Sequence, residues 1–435
     1  MGATSRSGIA VTTAVVAYAA AIAVGQALTW HGLHFNLGDA VPLSGHLDIR
    51  LSRRTLLPVA VAALLLLALP FAAQRLPWRW LLGVCAAASA GWAISLALVD
   101  GVGALGRPIS TRAEYLADVP RVSGLHAFLT GFTDHIVIGS PGFAWATHVS
   151  GHPPGALLTF VALDRLGLGG AGWAAGLCIG AGASAAAAGL VTLRAVAGED
   201  KARAAAPFLT AAPAAVWIAT SADAWFLGVS AWGIACLALG ARRKGVAGDL
   251  LAAGGGVLLG VTANLSYGLV LLAPVVVTVT VGTQRRLRPL AVAVLTAGAV
   301  VALIATQGFW WLDGLTQTRI RYQQGSASAR TYLYFLFANL AVLGVVVGPA
   351  TVACLPGIFR RRRAAVALLP LAALAGILLA DISGLSKSEV ERIWLPFTPW
   401  LLAATAVLPV PHRRWWLCGQ LAVGLAVQTL VRTNW

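Results

Sequence analysis

Two carboxylates lie four residues apart in Glu114-Tyr115-Leu116-Ala117-Asp118, on one face if the segment is helical. One of them could take a proton from an acceptor hydroxyl as a general base, and two could orient the acceptor or hold a divalent metal. The competing reading is an interfacial helix whose solvated side pairs with Arg112 and Arg121. Further on, His148-Val-Ser-Gly-His152-Pro153-Pro154-Gly155 aims His152 rigidly, because proline fixes its own φ and restricts the residue before it. The bland alternative is a helix-start turn. His126, His135, His148 and His152 match no standard zinc spacing, so the turn reading stands above a metal site.

Two other segments concentrate cations. One runs from Arg319 through Arg321 and Tyr322 to Arg330, Tyr332 and Tyr334; the other is Ser386-Lys387-Ser-Glu389-Val-Glu391-Arg392-Ile-Trp394-Leu-Pro396. Arginine binds phosphate oxygens in a bidentate fork, which makes Arg392 and Arg330, with Lys387 and Arg321, candidate phosphate ligands. Local ion pairing, such as Arg392 with Glu389, and snorkelling at helix ends are the alternatives. Asp223, in Ser221-Ala-Asp223, and Tyr267, in Asn264-Leu-Ser266-Tyr267, each sit between apolar runs. They could line a polar cavity with Tyr115, His148, His152 and Glu389, or belong to ordinary turns.

The elements that must position these groups are set by composition. Of 435 residues, 58% are hydrophobic and 11% charged, and mean hydropathy is +0.81. A soluble domain carries about 25% charged residues, so a soluble enzyme and a disordered chain are both excluded. Apolar runs long enough to cross a bilayer recur from end to end, and the chain reads as one all-helical integral membrane domain, 1–435. The net charge of +16 does not point to nucleic acid. Much of it lies in short clusters between apolar runs (Arg242 to Lys244, Arg285 to Arg288, Arg360 to Arg363), as in cytoplasmic loops. The five cysteines form no CxxC, so neither a disulfide framework nor a zinc site is indicated.

Spans are expected near 9–29, 55–73, 80–99, 170–193, 204–220, 223–240, 249–264, 267–282, 289–306, 331–355, 364–381, 394–410 and 415–431. Placing the basic clusters inside gives a cytoplasmic N-terminus, an extracytoplasmic C-terminus and outward loops at 30–54, 100–152, 307–330 and 382–393. The count closes at thirteen only if Pro153 to Leu166 is an outer half-helix, too short to span and opened by two prolines. Residues 100–166 then form an outer loop with interfacial helices. Only Glu199, Asp200 and Asp249 of the 15 acids fall inside. Loops as long as 100–152 are usually functional or disordered, and one so rich in aromatics is not disordered.

In order, the acid-x₃-acid loop, His-Pro-Pro at a short helix, Asp after a later span, and Glu391-Arg392-Ile-Trp-Leu-Pro396-Phe-Thr-Pro399 resemble a known family. The family is the GT-C glycosyltransferases, in the branch of protein O-mannosyltransferases and lipid A aminoarabinose transferases. The resemblance runs from roughly residue 80 to 410. The Ala/Gly/Arg-rich composition and the 386–397 segment also resemble an actinobacterial set that includes a methylthioxylose transferase.

The resemblance implies a GT-C fold in the plasma membrane and a polyprenyl-phosphate sugar as donor. The acceptor would be an envelope glycan, lipoglycan or protein hydroxyl, and the base an acid of the first large outer loop. That branch typically has Asp-Glu where this chain has Ala113-Glu114. The base therefore stays open between Glu114, Asp118 and Asp39, the last in the loop after the first span. A transporter or lipid flippase is the rival reading and predicts ionisable groups at mid-membrane depth and internal repeats.

Overall fold

The computed structural model describes residues 3–282 and 285–433. The chain opens with three long helices, α1 (Ala3–Trp30), α2 (Leu56–Arg75) and α3 (Trp78–Ala97). The long loop 98–153 follows, built of single helical turns around α4 (Leu125–Gly131) and α5 (Thr147–Ser150). It leads into α6 (Pro154–Arg165), α7 (Ala171–Ala197), α8 (Glu199–Thr210), α9 (Ala222–Arg242) and α10 (Val246–Leu265). Next come α11 (Ala273–Val277), α12 (Leu287–Thr306), α13 (Trp311–Gln324), α14 (Tyr332–Arg360) and α15 (Ala365–Ile382). The last elements are α16 (Val390–Ile393), α17 (Thr398–Leu402) and α18 (Arg413–Leu430). Strands β1 (Gly45–Leu47) and β2 (Val431–Thr433) are three residues each and pair antiparallel, Gly45 opposite Thr433.

Nine described helices are long and apolar enough to cross a membrane: α1, α2, α3, α7, α9, α10, α12, α14 and α15. The other four expected spans are helical but shorter or broken. Proline explains three of them, because it lacks the N–H that continues a helix and clashes with the preceding turn. Pro207 and Pro213 interrupt 204–220, Pro274 divides 267–282, and Pro396 and Pro399 divide 394–410. The fourth is α18, whose first turn carries Arg413 and Arg414. α6 has 12 residues, about 18 Å of helix, well short of a bilayer core.

α7 and α9 form the buried middle of the bundle, and α1 and α12 lie at its edges with most of their surface open to lipid. Small residues set the spacing between the central helices. A Cβ on Gly228 would come within 2.6 Å of the Ala181 carbonyl oxygen, and one on Gly255 within 2.8 Å of that of Gly233. Such backbone contacts are the usual way helices associate where no hydrophobic force drives them together. The long loop between α3 and α6 has a core of its own, in which Phe128, Phe132, Phe143 and Trp145 pack on one another and Phe309 packs on Phe132. β1 belongs to the loop after α1 and β2 follows α18, so their pairing puts the C-terminal end on the same side as that loop. Arg50 clasps the junction by bonding Asp100 and the carbonyls of Gln428 and Val431.

α14 is broken at Gly348, whose φ of 75° lies in the left-handed region that glycine enters without a Cβ penalty. Pro349 follows and cannot donate. Gln420 of α18 splints the break: its amide donates to the Val347 carbonyl at 3.0 Å and accepts from the Ala350 N–H at 3.2 Å. Gln420→Leu keeps the volume and strands both backbone groups, a loss of about 1–3 kcal/mol for buried partners. The thermal transition of the purified protein in detergent should fall accordingly. An unchanged transition would mean that packing alone holds the break.

Candidate active site

Every segment expected to face outward sends a residue to one place. Glu114 precedes the single turn Tyr115–Ala117, so Glu114 and Asp118 are joined by 3-10 geometry and not by the α-helix their spacing suggested. α5 carries His148, whose N–H is held by the Ala113 carbonyl at 2.9 Å. Asp223 is the second residue of α9, just after a break between helices. Arg392 lies in the one-turn α16, preceded by Ser388 and Glu389, both at positive φ.

These side chains form a continuous buried chain of contacts. Glu114 Oε1 is 2.6 Å from His148 Nδ1. Arg392 Nη2 donates to His148 Nε2 at 2.9 Å, and its Nη1 donates to Asp223 Oδ2 at 2.6 Å. Guanidinium nitrogens can only donate, so His148 accepts at Nε2 and carries its proton on Nδ1, facing Glu114. Arg392 Nη2 also reaches Glu389 Oε2 at 3.3 Å. The other Glu389 oxygen accepts from Arg330 at 3.1 and 3.2 Å. Arg330 in turn donates to the carbonyls of Phe35 and Lys387.

Burial pushes the Glu114 carboxyl up, but the hydrogen bond from His148 and the charge of Arg392 hold it below its ordinary value. The same balance holds Glu389 down, with Arg392 and Arg330 outweighing burial. For Arg392, burial opposes the charge, and Asp223, Glu389 and Glu114 raise its pKa above the ordinary value. The three groups therefore stay charged at neutral pH. Burial pushes the His152 imidazole down to about 4, so it is neutral there. Its Nδ1 lies 2.7 Å from the His148 carbonyl, and its ring packs on Tyr115 and Phe226.

The remaining candidates are placed differently. Tyr115 is buried against Phe160 and His152, beside Glu114. Asp118 is buried but engaged in the loop, accepting from the Ala146 N–H at 2.7 Å and pairing with Arg121 at 3.0 Å. Asp39 is 62% exposed and accepts from the Leu47 N–H, which ties down the first loop. Lys387 meets the ion chain through its carbonyl, while its ammonium donates to the Ser328 carbonyl at 2.8 Å. Arg321 is half-buried on α13, which is tied to α5 by the Thr318 hydroxyl bonding the Ser150 carbonyl, and its Nη1 is buried without a hydrogen-bond partner. Tyr267 packs edge-on to Trp311 and makes none of the ion-chain contacts. Among the described residues no three His, Cys, Asp or Glu side chains converge as a metal cage would.

The sequence motif contains one residue that was given no role in the site. Glu391 is fully buried and accepts from the Ser44 N–H at 3.0 Å, joining the loop after α1 to the residue next to Arg392. Its spacing from Glu389 in a single helical turn was the available signal, since the two cannot share a face.

No protein-family model matches the chain, and no curated protein matches it. Among solved structures, the chain is similar to ArnT from Cupriavidus metallidurans, crystallised in the apo state. Identity is 19% and the TM-score 0.46, and the match covers 78% of this chain and 63% of that one. The chain thus spans less than two thirds of that protein's length.

Burial raises the Glu391 carboxyl from 4.5 to about 7. Between those values the unfolded chain has lost its proton and the folded protein keeps it, so stability falls as pH rises, by at most about 1.4 kcal/mol per pH unit. Glu391→Gln should remove this slope. Chemical denaturation of both proteins at several pH values across the window checks it, and parallel curves would show that Glu391 titrates normally.

Proposed function

We propose that this chain is a GT-C type membrane glycosyltransferase of the plasma membrane that takes its sugar from a polyprenyl-phosphate donor. The observation that supports this best is the buried run of contacts Glu114, His148, Arg392, Asp223, which joins the 100–152 loop to α16 and the start of α9. An ionised carboxylate and a guanidinium held in one buried network are what deprotonating a hydroxyl and stabilising a leaving phosphate require. In the proposed orientation the N-terminus and the basic loops are cytoplasmic. The C-terminus and this site then face the extracytoplasmic side, where the acceptor hydroxyl of an envelope glycan, lipoglycan or protein would arrive.

Glu114 takes the acceptor proton as the acceptor oxygen bonds to the sugar C1. The C1–O bond to the donor breaks, and its electron pair leaves with the polyprenyl phosphate. A single displacement of this kind inverts C1. Both terminal nitrogens of Arg392 are already engaged, so a donor phosphate must exchange with one of its partners. Glu389 is the candidate, at 3.3 Å the longest arm and 22% exposed, and held by backbone at positive φ. A phosphate in its place would bridge Arg392 and Arg330.

A transporter finds less support. Among the described residues, the long apolar helices carry Asp, Glu, Lys, Arg and His only near their ends, whereas transport pathways place ionisable groups at mid-depth.

Glu114→Gln keeps the shape and removes the base. Transfer from a radiolabelled polyprenyl-phosphate sugar to membrane acceptors should collapse while donor binding persists. Arg392→Lys loses the fork and should weaken donor binding or turnover by about 1.5–3 kcal/mol, the worth of a charge-assisted bond. A Glu114→Gln protein with full transfer would remove Glu114 from the chemistry. Normal donor affinity and turnover in Arg392→Lys would make that arginine an internal ion-pair partner.

A further inference from the structure

α14 begins two residues after Arg330 and carries the chain to the far end of the bundle, where it meets the start of α1 and of α18. There the three helix ends enclose a cavity of about 310 Å³, within the range of small-molecule sites. Its charged lining is wholly basic, with Arg6 from α1 and Arg360 and Arg361 from the end of α14, and the His412 ring lies beside them before α18. Among the described residues no aspartate or glutamate lines it, and none pairs with these arginines.

Helix polarity adds to this field. α18 has no acid in its first turn, which holds Arg413 and Arg414. The positive end of its dipole therefore meets cations where anions are favoured. An anion from outside the chain would relieve the arrangement. The surroundings also belong to a membrane interface. Trp415, on the cavity wall, is 78% exposed, and indoles beside basic residues mark the head-group level. The neighbouring surface of α1 exposes apolar side chains such as Ile9 and Val16.

We propose that this cavity binds the head-group phosphate of an anionic phospholipid from the leaflet on the basic side of the protein. Basic pockets between spans on that side suit such head groups. The tryptophans and the apolar flank of α1 give acyl chains a surface that a free phosphate would not use. The site lies apart from the ion chain and stands whatever reaction that chain performs.

Native mass spectrometry of the full chain tests this, with phosphatidylglycerol, phosphatidylcholine or inorganic phosphate added separately. Phosphatidylglycerol should bind in preference to phosphatidylcholine. Arg360→Gln with Arg361→Gln should weaken it roughly thirtyfold, from the usual gain per basic residue at an anionic surface. Arg362→Gln with Arg363→Gln, in the same basic run but outside the cavity lining, should change it little. Equal retention of the two lipids, or equal losses in both double variants, would overturn the site in favour of diffuse attraction. Inorganic phosphate binding as tightly as phosphatidylglycerol would overturn a lipid as the occupant. If the first double variant does not fold, Arg6→Gln decides: a loss of about fivefold supports the site, and unchanged binding refutes it.

Discussion

A guanidinium removed from water has to be surrounded by acceptors, since an unpaired buried charge costs several kcal/mol. Arg392 is buried, and its partners come from Asp223, 169 residues away in sequence, and His148, 244 residues away. Glu389 is the only one of the three that is local. Two distant segments must therefore hold their positions before Arg392 can be buried at all. The backbone just before α16, the break before α9 and the short helix α5, tied to Ala113 through the His148 N–H, each deliver one partner. A buried ion pair is weak evidence for stability, because well-packed apolar residues would often do as well. Keeping so many charges together at the end of an apolar bundle instead suggests a functional demand.

The balance of charge within the network has a direction. With His148 neutral, the carboxylates of Glu114, Asp223 and Glu389 face two guanidiniums, Arg392 and Arg330. The arms also differ in strength: Asp223 binds at 2.6 Å from a buried position, whereas Glu389 binds at 3.3 Å and is partly exposed. Exchanging the Glu389 carboxylate for another anion would cost least, since the new anion inherits the same two arginines. The strained backbone at Ser388 and Glu389 fits a segment that must hold a shape against local preference.

The sequence made the helical class and the meeting of the outward segments legible for one reason. Charges are rare here, so each departure from an apolar run is informative. Arg392, Arg330, Glu114, His148, Asp223 and Glu389 were all visible as polar residues in loops or at span ends. Their connections were not visible. Pairing across more than a hundred residues leaves no periodic trace, so Arg392 read equally as a phosphate ligand or as a local ion pair with Glu389. Asp118 and Asp39 look like Glu114 in one dimension, yet their carboxylates hold loop N–H groups. Span lengths failed where prolines cut apolar runs into shorter pieces, because hydropathy registers the run and is blind to its breaks.

The two ends of α14 show how one helix can serve two unlike surroundings. Its first turns adjoin Arg330, which is satisfied entirely by the protein. Its last turn reaches Arg360, and among the described residues no acid pairs with it or lines its cavity. Between them the helix breaks at Gly348, and the Gln420 amide re-pairs the backbone that the break leaves open. In a hydrocarbon environment such a break is tolerable only when a neighbouring side chain completes the hydrogen bonding. That requirement ties α18 to α14 at mid-depth, and the first turn of α18 then closes the basic cavity below. The same glutamine that repairs the helix thus fixes where the basic end of the protein is assembled.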